Sequence, residues 1–297
     1  MNLSKLHLAV LKGGVSRERE ISLLTGTAVA KALRGLGHRV EEIDVRSENF
    51  DLPQGLDFVF TCLHGTFGED GGVQSFLISK GVRFNGSGAE SCRKSLDKME
   101  TKKILCAAGV PMAKSALWRP EMNWPLPYVL KPVAQGSSIG VFRVTKEEEV
   151  EPSRRAALEL SWPMMIESMI VGREFSVGIL GDEALPPVEI RPKVGFYDYK
   201  NKYTAGMTEH LCPAPVSPAL DRRIREIGLA AHRALGCEVY SRVDVMADEK
   251  EQCFALELNS IPGMTEFSIF PEEAKAAGLD FPQLCQKIIE LSWDVKR

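Results

Sequence analysis

The sequence predicts a multidomain protein of mixed α/β and α+β class, and three observations carry that prediction. The first third alternates apolar strand-like runs with helical ones, and glycine-rich loops follow the strand ends. Further on, a Gly/Ser loop, Gln135-Gly-Ser-Ser-Ile-Gly140, lies between two short apolar runs. Near the C-terminus, residues 240–258 form a hairpin with one polar and one apolar face. A chain of 297 residues can bury more than one core.

Taken in order, a strand over 6–11 turns at Gly13-Gly14 into a helix that runs to Leu36. Gly37 closes it, and a strand restarts over 39–45. Residues 57–63 form the next strand. It ends in His64-Gly-Thr-Phe-Gly-Glu-Asp-Gly71, which opens a helix over 73–80. This is the βαβ pattern of a parallel sheet, with functional loops at the carboxyl ends of its strands. Asn85-Gly86-Ser87-Gly88 marks a boundary. A helix over 92–108 follows, with strands over 114–118 and 128–132. The Gly/Ser loop then leads to a strand over 141–144, and a charged helix and a strand over 164–167 complete a small α+β unit. The irregular stretch 191–217 has the length of a lid or binding loop. A helix over 220–235 ends at Gly236, the hairpin and a loop over 259–270 follow, and a last helix starts near Phe281. The expected domains are 1–86, 87–166 and 167–297.

Composition excludes several classes. The chain is 44% hydrophobic and 26% charged, as ordinary globular proteins are. A net charge of −3 without a basic stripe gives no support to a nucleic-acid or anionic-membrane partner. No apolar run approaches a membrane span. The apolar first residues lack a small-residue cleavage site and are better explained by a buried strand than by a secretion signal. Seven scattered cysteines with no Cys-x-x-Cys pair point to a reducing cytoplasm, and away from a disulfide framework or a zinc site.

The densest chemical signal is Ser-Arg242-Val-Asp244-Val-Met with Leu-Glu257-Leu-Asn259. Residues two apart in a strand share a face, so Arg242 and Asp244 point one way and Glu257 and Asn259 point together. An even-length turn near 248–251 would put both pairs on the same face, with Asp244 and Glu257 about 5 to 8 Å apart. Two carboxylates and an amide oxygen, without Cys or His, suit Mg²⁺. From spacing alone, a solvated hairpin face and a metal site are equally open.

For phosphate, there is no Gly-x-x-x-x-Gly-Lys-Ser/Thr sequence, and Gly13-Gly14-Val-Ser-Arg-Glu lacks the Gly-x-Gly-x-x-Gly of a dinucleotide site. A P-loop NTPase and a nicotinamide dehydrogenase are therefore remote. Instead, the small residues of the Gly/Ser loop let backbone N–H groups approach phosphate oxygens, with Lys131 and Lys98 as point charges.

In these motifs the sequence resembles the D-alanine–D-alanine ligase family of the ATP-grasp superfamily. The likeness spans essentially the whole chain. It runs through Gly-Gly-Val-Ser-Arg-Glu18, His64-Gly-Thr-Phe-Gly-Glu-Asp-Gly, Lys131-Pro-Val-Ala-Gln-Gly-Ser137-Ser138, Gly172-Arg-Glu174-Phe, Phe196-Tyr-Asp-Tyr-Lys-Asn-Lys202-Tyr203, the hairpin, and Ser-Ile-Pro-Gly263-Met-Thr. The resemblance implies an ATP-grasp fold with an N-terminal βαβ domain, a small central domain and a larger C-terminal catalytic domain. It implies ATP-dependent joining of two D-alanines through a D-alanyl phosphate, for peptidoglycan synthesis in the cytoplasm.

By the same resemblance, Glu18 binds the ammonium of the first D-alanine and His64 lines that subsite. Lys98, Lys131, Ser137, Ser138 and Lys202 contact phosphates, and Glu167 and Glu174 contact adenine and ribose. Asp244, Glu257 and Asn259 hold two Mg²⁺ ions, with Mn²⁺ as an alternative. Arg242 and the Gly263 N–H stabilise the oxyanion, and Ser268 anchors the second carboxylate. Ser137 and Tyr203 join Glu18 in closing the 196–212 loop, and a homodimer is the expected assembly. Ser168-Met169-Ile170 departs from the family's usual hinge, and Ser260-Ile261 from its usual residues before Pro262. The alternatives are a D-alanine–D-lactate or D-alanine–D-serine ligase, or a non-catalytic nucleotide-binding protein on the same fold. Tyr203 favours the dipeptide former.

Overall fold

The structure is a computed structural model that describes residues 3, 5–193, 195, 206–265 and 268–297. Three sheets organise the described residues. The first is parallel, in the order β2-β1-β3, from β1 (His7–Gly13), β2 (Arg39–Val45) and β3 (Phe58–Thr61). Its apolar strands are covered by α1 (Arg19–Gly35) and α2 (Gly72–Ser79). The C-terminal helix α8 (Phe281–Trp293) packs Leu284, Ile288 and Ile289 into the same core as Leu8, Val10 and Leu33, so the two ends of the chain share one interior. Asp280 starts α8 with a capping box, accepting from Gln283 N while the Gln283 side chain accepts from Asp280 N.

The second sheet is antiparallel, ordered β4-β7-β5-β6, from β4 (Ser115–Leu117), β5 (Tyr128–Pro132), β6 (Phe142–Val144) and β7 (Met164–Ser168). The Gly/Ser loop joins β5 to β6, an antiparallel pair as the sequence predicts. One face carries α5 (Val150–Leu160), whose Ala157 packs with Leu130 and Ile166. β7 continues to Ser168, two residues past the expected domain boundary.

The third sheet runs β11-β10-β8-β12-β13, with β9 (Glu183–Ala184) beside β8. Its strands are β8 (Gly172–Leu180), β10 (Val188–Pro192), β11 (Thr208–Leu211), β12 (Tyr240–Asp248) and β13 (Cys253–Asn259). Val177 and Ile179 of β8 and Val243 and Val245 of β12 bury one face against Ile224, Ile227 and Ala231 of α6 (Pro218–Ala234). The opposite face carries the polar residues.

Two expectations change. The single helix over 92–108 is two, α3 (Ala89–Leu96) and α4 (Lys98–Ala107), because Asp97 adopts an extended conformation and caps α4 by accepting from Met99 N and Glu100 N. Leu105 of α4 lies in the core of the third sheet. The stretch read as irregular from 191 contains the end of β10 and all of β11, and a helix α7 (Ile269–Ala276) follows the loop after the hairpin. Among the described residues, no helix is long and apolar enough to cross a membrane.

Candidate functional site

The polar face of the β12–β13 hairpin sets the first part of the site. Arg242 pairs with Asn259, and Asp244 lies directly opposite Glu257. The expected route to that register was an even-length turn, and the turn is odd. Asp248 N–H meets the Gln252 carbonyl across residues 249–251, and Val245 pairs with Ala255. Continued without interruption, that register would set Asp244 against Leu256. A bulge between Asp244 and Val245 slips β13 by one residue and brings Glu257 to the shared face.

Arg242 holds Asp244 with a bidentate ion pair, Nε to Oδ1 at 2.9 Å and Nη2 to Oδ2 at 3.0 Å. Glu257 is more open and lies 3.8 Å from Lys98 Nζ. Among the described residues no three Asp, Glu, His or Cys side chains converge as metal ligands, and the further oxygen donor that this face offers beside its two carboxylates is the Asn259 amide. Asn259 fits. Its Nδ2 position is buried without a partner, the two ends of an amide are interchangeable by rotation, and an oxygen there gives two carboxylates and an amide on one face. This donor set suits a hard divalent cation.

The second part is the Gly/Ser loop and the lysines beneath it. Lys98, at the start of α4, donates to the Gln135 carbonyl at 2.6 Å and fixes the loop's first residue. Ser137 and Ser138 both have positive φ, at 54° and 56°. Such strain at non-glycine residues persists where surrounding contacts over-determine the backbone, and Ser137 donates its hydroxyl to Glu18. Below the loop, Lys131 Nζ lies 2.9 Å from Glu167 Oε1, and Lys102 pairs with the other oxygen of the same carboxylate. Burial pushes the Glu167 carboxyl up, but Lys131 and Lys102 outweigh it and hold the group below its usual range. Lys131 is raised, because Glu167 and Glu257 overcome its burial, whereas burial wins at Lys102 and lowers it.

The third part comes from the first sheet. Glu18 is the N-cap residue of α1, just before the helix that was expected to contain it. Ser16 braces it, with the Ser16 hydroxyl donating to the His64 carbonyl at 2.7 Å and accepting from Glu18 N at 3.1 Å. His64 is buried, and its Nδ1 lies 3.2 Å from Glu69 Oε1. Burial is the largest influence and disfavours its charged form, but the Glu69 hydrogen bond and charge, together with the charge of Glu18, outweigh it and raise the pKa. Glu69 lines the same cavity as Glu257 and Asn259, which brings this loop to the hairpin.

One cavity joins these parts, lined by Glu69, Lys98, Gln135, Gly136, Glu257 and Asn259 among others. Ser268 is the N-cap residue of α7, and its hydroxyl accepts from Thr265 N at 3.0 Å and lies 2.8 Å from Thr265 Oγ1. Gly263 lies beside Ser268. Glu174 is on β8 opposite Met246, on the same face as Asp244. Lys202 and Tyr203, with most of the 196–212 loop, lie outside the described residues.

Three groups here escaped the sequence reading. Lys102 follows Lys98 by one helical turn and both are buried, a spacing that was legible. Glu69 sits inside the His64 motif itself. Glu273 of α7 is fully buried beside Gly178, the cross-strand partner of Arg242. A Cβ on Gly178 would come within 2.5 Å of its Oε2. Burial raises the Glu273 pKa well above the carboxylate range. No local pattern marks it.

Comparison with known proteins adds an independent line. Residues 105–290 match the family model described as the D-ala D-ala ligase C-terminus. The D-alanine–D-alanine ligase of Methylacidiphilum infernorum is 44% identical over 289 residues, covering 97% of this chain and 95% of that protein. The enzyme of the same name from Novosphingobium aromaticivorans is 43% identical, with 97% of each chain covered. Among solved structures, D-alanine–D-alanine ligase from Bacillus anthracis superposes with a TM-score of 0.83 at 30% identity, over 97% of both chains. The VanG D-Ala:D-Ser ligase of Enterococcus faecalis gives a TM-score of 0.84 at 28% identity, covering 97% of this chain and 99% of that one.

Proposed function

Because the chain belongs to the D-alanine–D-alanine ligase family, we propose that it joins two D-alanines into D-alanyl-D-alanine, a cell-wall precursor, with ATP converted to ADP and phosphate. The observation that carries the site assignment is the single cavity in which the Gly/Ser loop, Lys98 and the Glu257–Asn259 edge converge.

A carboxylate is a poor electrophile, so the first D-alanine has to be activated. Its carboxylate oxygen attacks the γ-phosphorus of ATP, ADP leaves, and an acyl phosphate forms. The amine of the second D-alanine then attacks the acyl carbon, and inorganic phosphate departs with the C–O bonding pair. Holding both reactants in one site can contribute roughly 7–11 kcal/mol as effective concentration.

In this reading Glu18 accepts from the first ammonium and His64 lines its subsite. The N–H groups of Ser137 and Ser138, with Lys98, Lys131 and Lys202, face the phosphates. Glu174 takes the ribose. The Glu167 segment takes the adenine through its backbone, since its carboxylate is engaged by two lysines. Arg242 and the Gly263 N–H stabilise the negative oxygen of the tetrahedral intermediate. Ser268, at the N-terminus of α7, anchors the second carboxylate where helix N–H groups favour an anion. Tyr203 closes the loop over the site with Ser137 and Glu18, which excludes water from the acyl phosphate. Asp244, Glu257 and Asn259 are the residues that would hold Mg²⁺ or Mn²⁺, which when bound neutralises phosphate charge. A homodimer in the cytoplasm is the assembly and location we assign.

Likeness to the D-Ala:D-Ser ligase supports a second reading, in which the second substrate is D-serine, and D-lactate is the further alternative by the family resemblance. Phosphate release from ATP, measured over D- and L-amino acids and D-lactate, separates the two. We expect D-alanine alone to support the fastest turnover. Faster release with D-alanine plus D-lactate or D-serine overturns the dipeptide assignment.

A further inference from the structure

Two consecutive residues of the first unit, Arg17 and Glu18, reach the Gly/Ser loop by different routes. Glu18 accepts from Ser137 in the middle of the loop. The Arg17 guanidinium lies over the Trp162 ring, 5.8 Å from its centroid. Trp162 in turn backs the loop's last residue. Gly140 has φ +73°, and a Cβ there would stand 2.8 Å from Leu160 Cδ1, 3.0 Å from Pro132 Cγ and 3.3 Å from Trp162 Cζ3, so Trp162 shares this backing with two other side chains. The first residue, Gln135, is fixed separately by Lys98. The loop is therefore held at its start, middle and end, and two of the three holds trace back to residues 17 and 18.

We propose that Arg17 is a positioning residue for phosphate binding, acting through Trp162 to hold the end of the 135–140 loop in the ATP-bound arrangement. This deepens the ligase reading and rests on it. The contact crosses from the first unit to the second sheet, so it forms only when the two are apposed. Glu18 makes the same crossing one residue along. The loop that covers the phosphates and the residue assigned to the first ammonium are thus gripped from one short segment, and setting either helps to set the other. An ordinary exposed arginine, solvated at random, has no such dependence on the loop.

Arg17 is exposed and Trp162 half-buried, and a cation over an indole near the surface is worth about a two- to five-fold change in an equilibrium. The contact is the same before and during phosphoryl transfer, so its loss falls on KM for ATP and leaves kcat nearly unchanged. The test uses the full chain with Arg17→Ala, Arg17→Lys, Trp162→Leu, Trp162→Phe and the double variant Arg17→Ala/Trp162→Leu. Two quantities are read: KM and kcat for ATP in D-alanine-dependent phosphate release, and hydrogen–deuterium exchange of residues 135–140 with a non-hydrolysable ATP analogue. Arg17→Ala and Trp162→Leu should each raise KM and loop exchange about three-fold, with kcat within two-fold. Arg17→Lys and Trp162→Phe should stay near the parent, and the double variant should be no worse than either single one. Parent-like KM and exchange in Arg17→Ala, or single effects that multiply in the double variant, overturn the proposal. If the parent shows no D-alanine-dependent turnover, the ligase reading fails instead, and the exchange data alone still decide the role of Arg17.

Discussion

Two groups of charge flank the cavity, and they are balanced in opposite senses. On β12 and β13, Asp244 and Glu257 face each other directly, with Arg242 bound to one and Lys98 Nζ 3.8 Å from the other. Where β5 and β7 meet α4, a single carboxylate, Glu167, lies between two ammonium groups, Lys131 of β5 and Lys102 of α4. The hairpin group sets two carboxylates on one face, and Lys98 beside them also donates to the Gln135 carbonyl. The Glu167 group sets two ammonium groups on one carboxylate, and Glu257 acts on Lys131 from the hairpin side. One therefore suits an incoming cation and the other an incoming phosphate, which are the two things Mg-ATP brings together. Burial separates them further: Glu167 is 4% exposed and Glu257 is 29% exposed. A carboxylate closed off from solvent serves the frame, and one left open can still change partners.

The sharpest way to break this contrast is to remove one acid from each group. Asp244→Ala should lower turnover by about 10³-fold, as expected when a single charge-stabilising contact is lost from a transition state. Its thermal unfolding should stay near that of the parent, because Arg242 next to it can still reach water. Phosphate release within ten-fold of the parent would remove the hairpin from the chemistry. Glu167→Gln should act the other way, on stability first. It leaves Lys131 and Lys102 buried without their counter-charge, a loss of about 3 kcal/mol. The sign with pH follows from the depressed Glu167 pKa. Stability from the ionised group is present above the unfolded value of 4.5 and is lost as pH falls through the lower folded value. Urea denaturation from pH 7 to pH 3 should therefore show a flatter acid limb in Glu167→Gln than in the parent. Parallel acid limbs would mean that Glu167 is not ionised in the fold.

The same contrast shows what could be read from the sequence. Alternation placed Arg242, Asp244, Glu257 and Asn259 on one face, and that is a local property of two strands. The bulge that makes Glu257 face Asp244 was not legible, because the sequence does not say which residue of 255–257 is extra. The break between α3 and α4 was legible, since Asp97 precedes Glu100 by three, and it was missed because the apolar pattern runs on across it. β8, β10 and β11 lie side by side in a sheet whose partners are far apart in the chain, so their pairing leaves little trace in any short window. Glu273 and Trp162 meet their partners only in three dimensions. The Gly/Ser loop announces itself, but the side chains that hold its end do not.

The pair His64–Glu69 is the intermediate case, one acid and one base in a buried loop, and it gives the smallest expected effect. Glu69 raises the His64 pKa against the pull of burial. A raised histidine stabilises the fold fully below its unfolded value of 6.5, and the gain is lost as pH rises through the folded value. Glu69→Gln removes the main raising influence and leaves burial, which acts in the opposite direction. The His64 titration, followed by NMR of its ring protons, should then drop below 6.5. The stability difference between the parent and Glu69→Gln should be about 1 kcal/mol at pH 5.5 and shrink by pH 8.5. If the His64 titration does not move, the charge on that loop is set by Glu18 instead, and the first subsite would belong to the electrostatics of the hairpin rather than standing beside it.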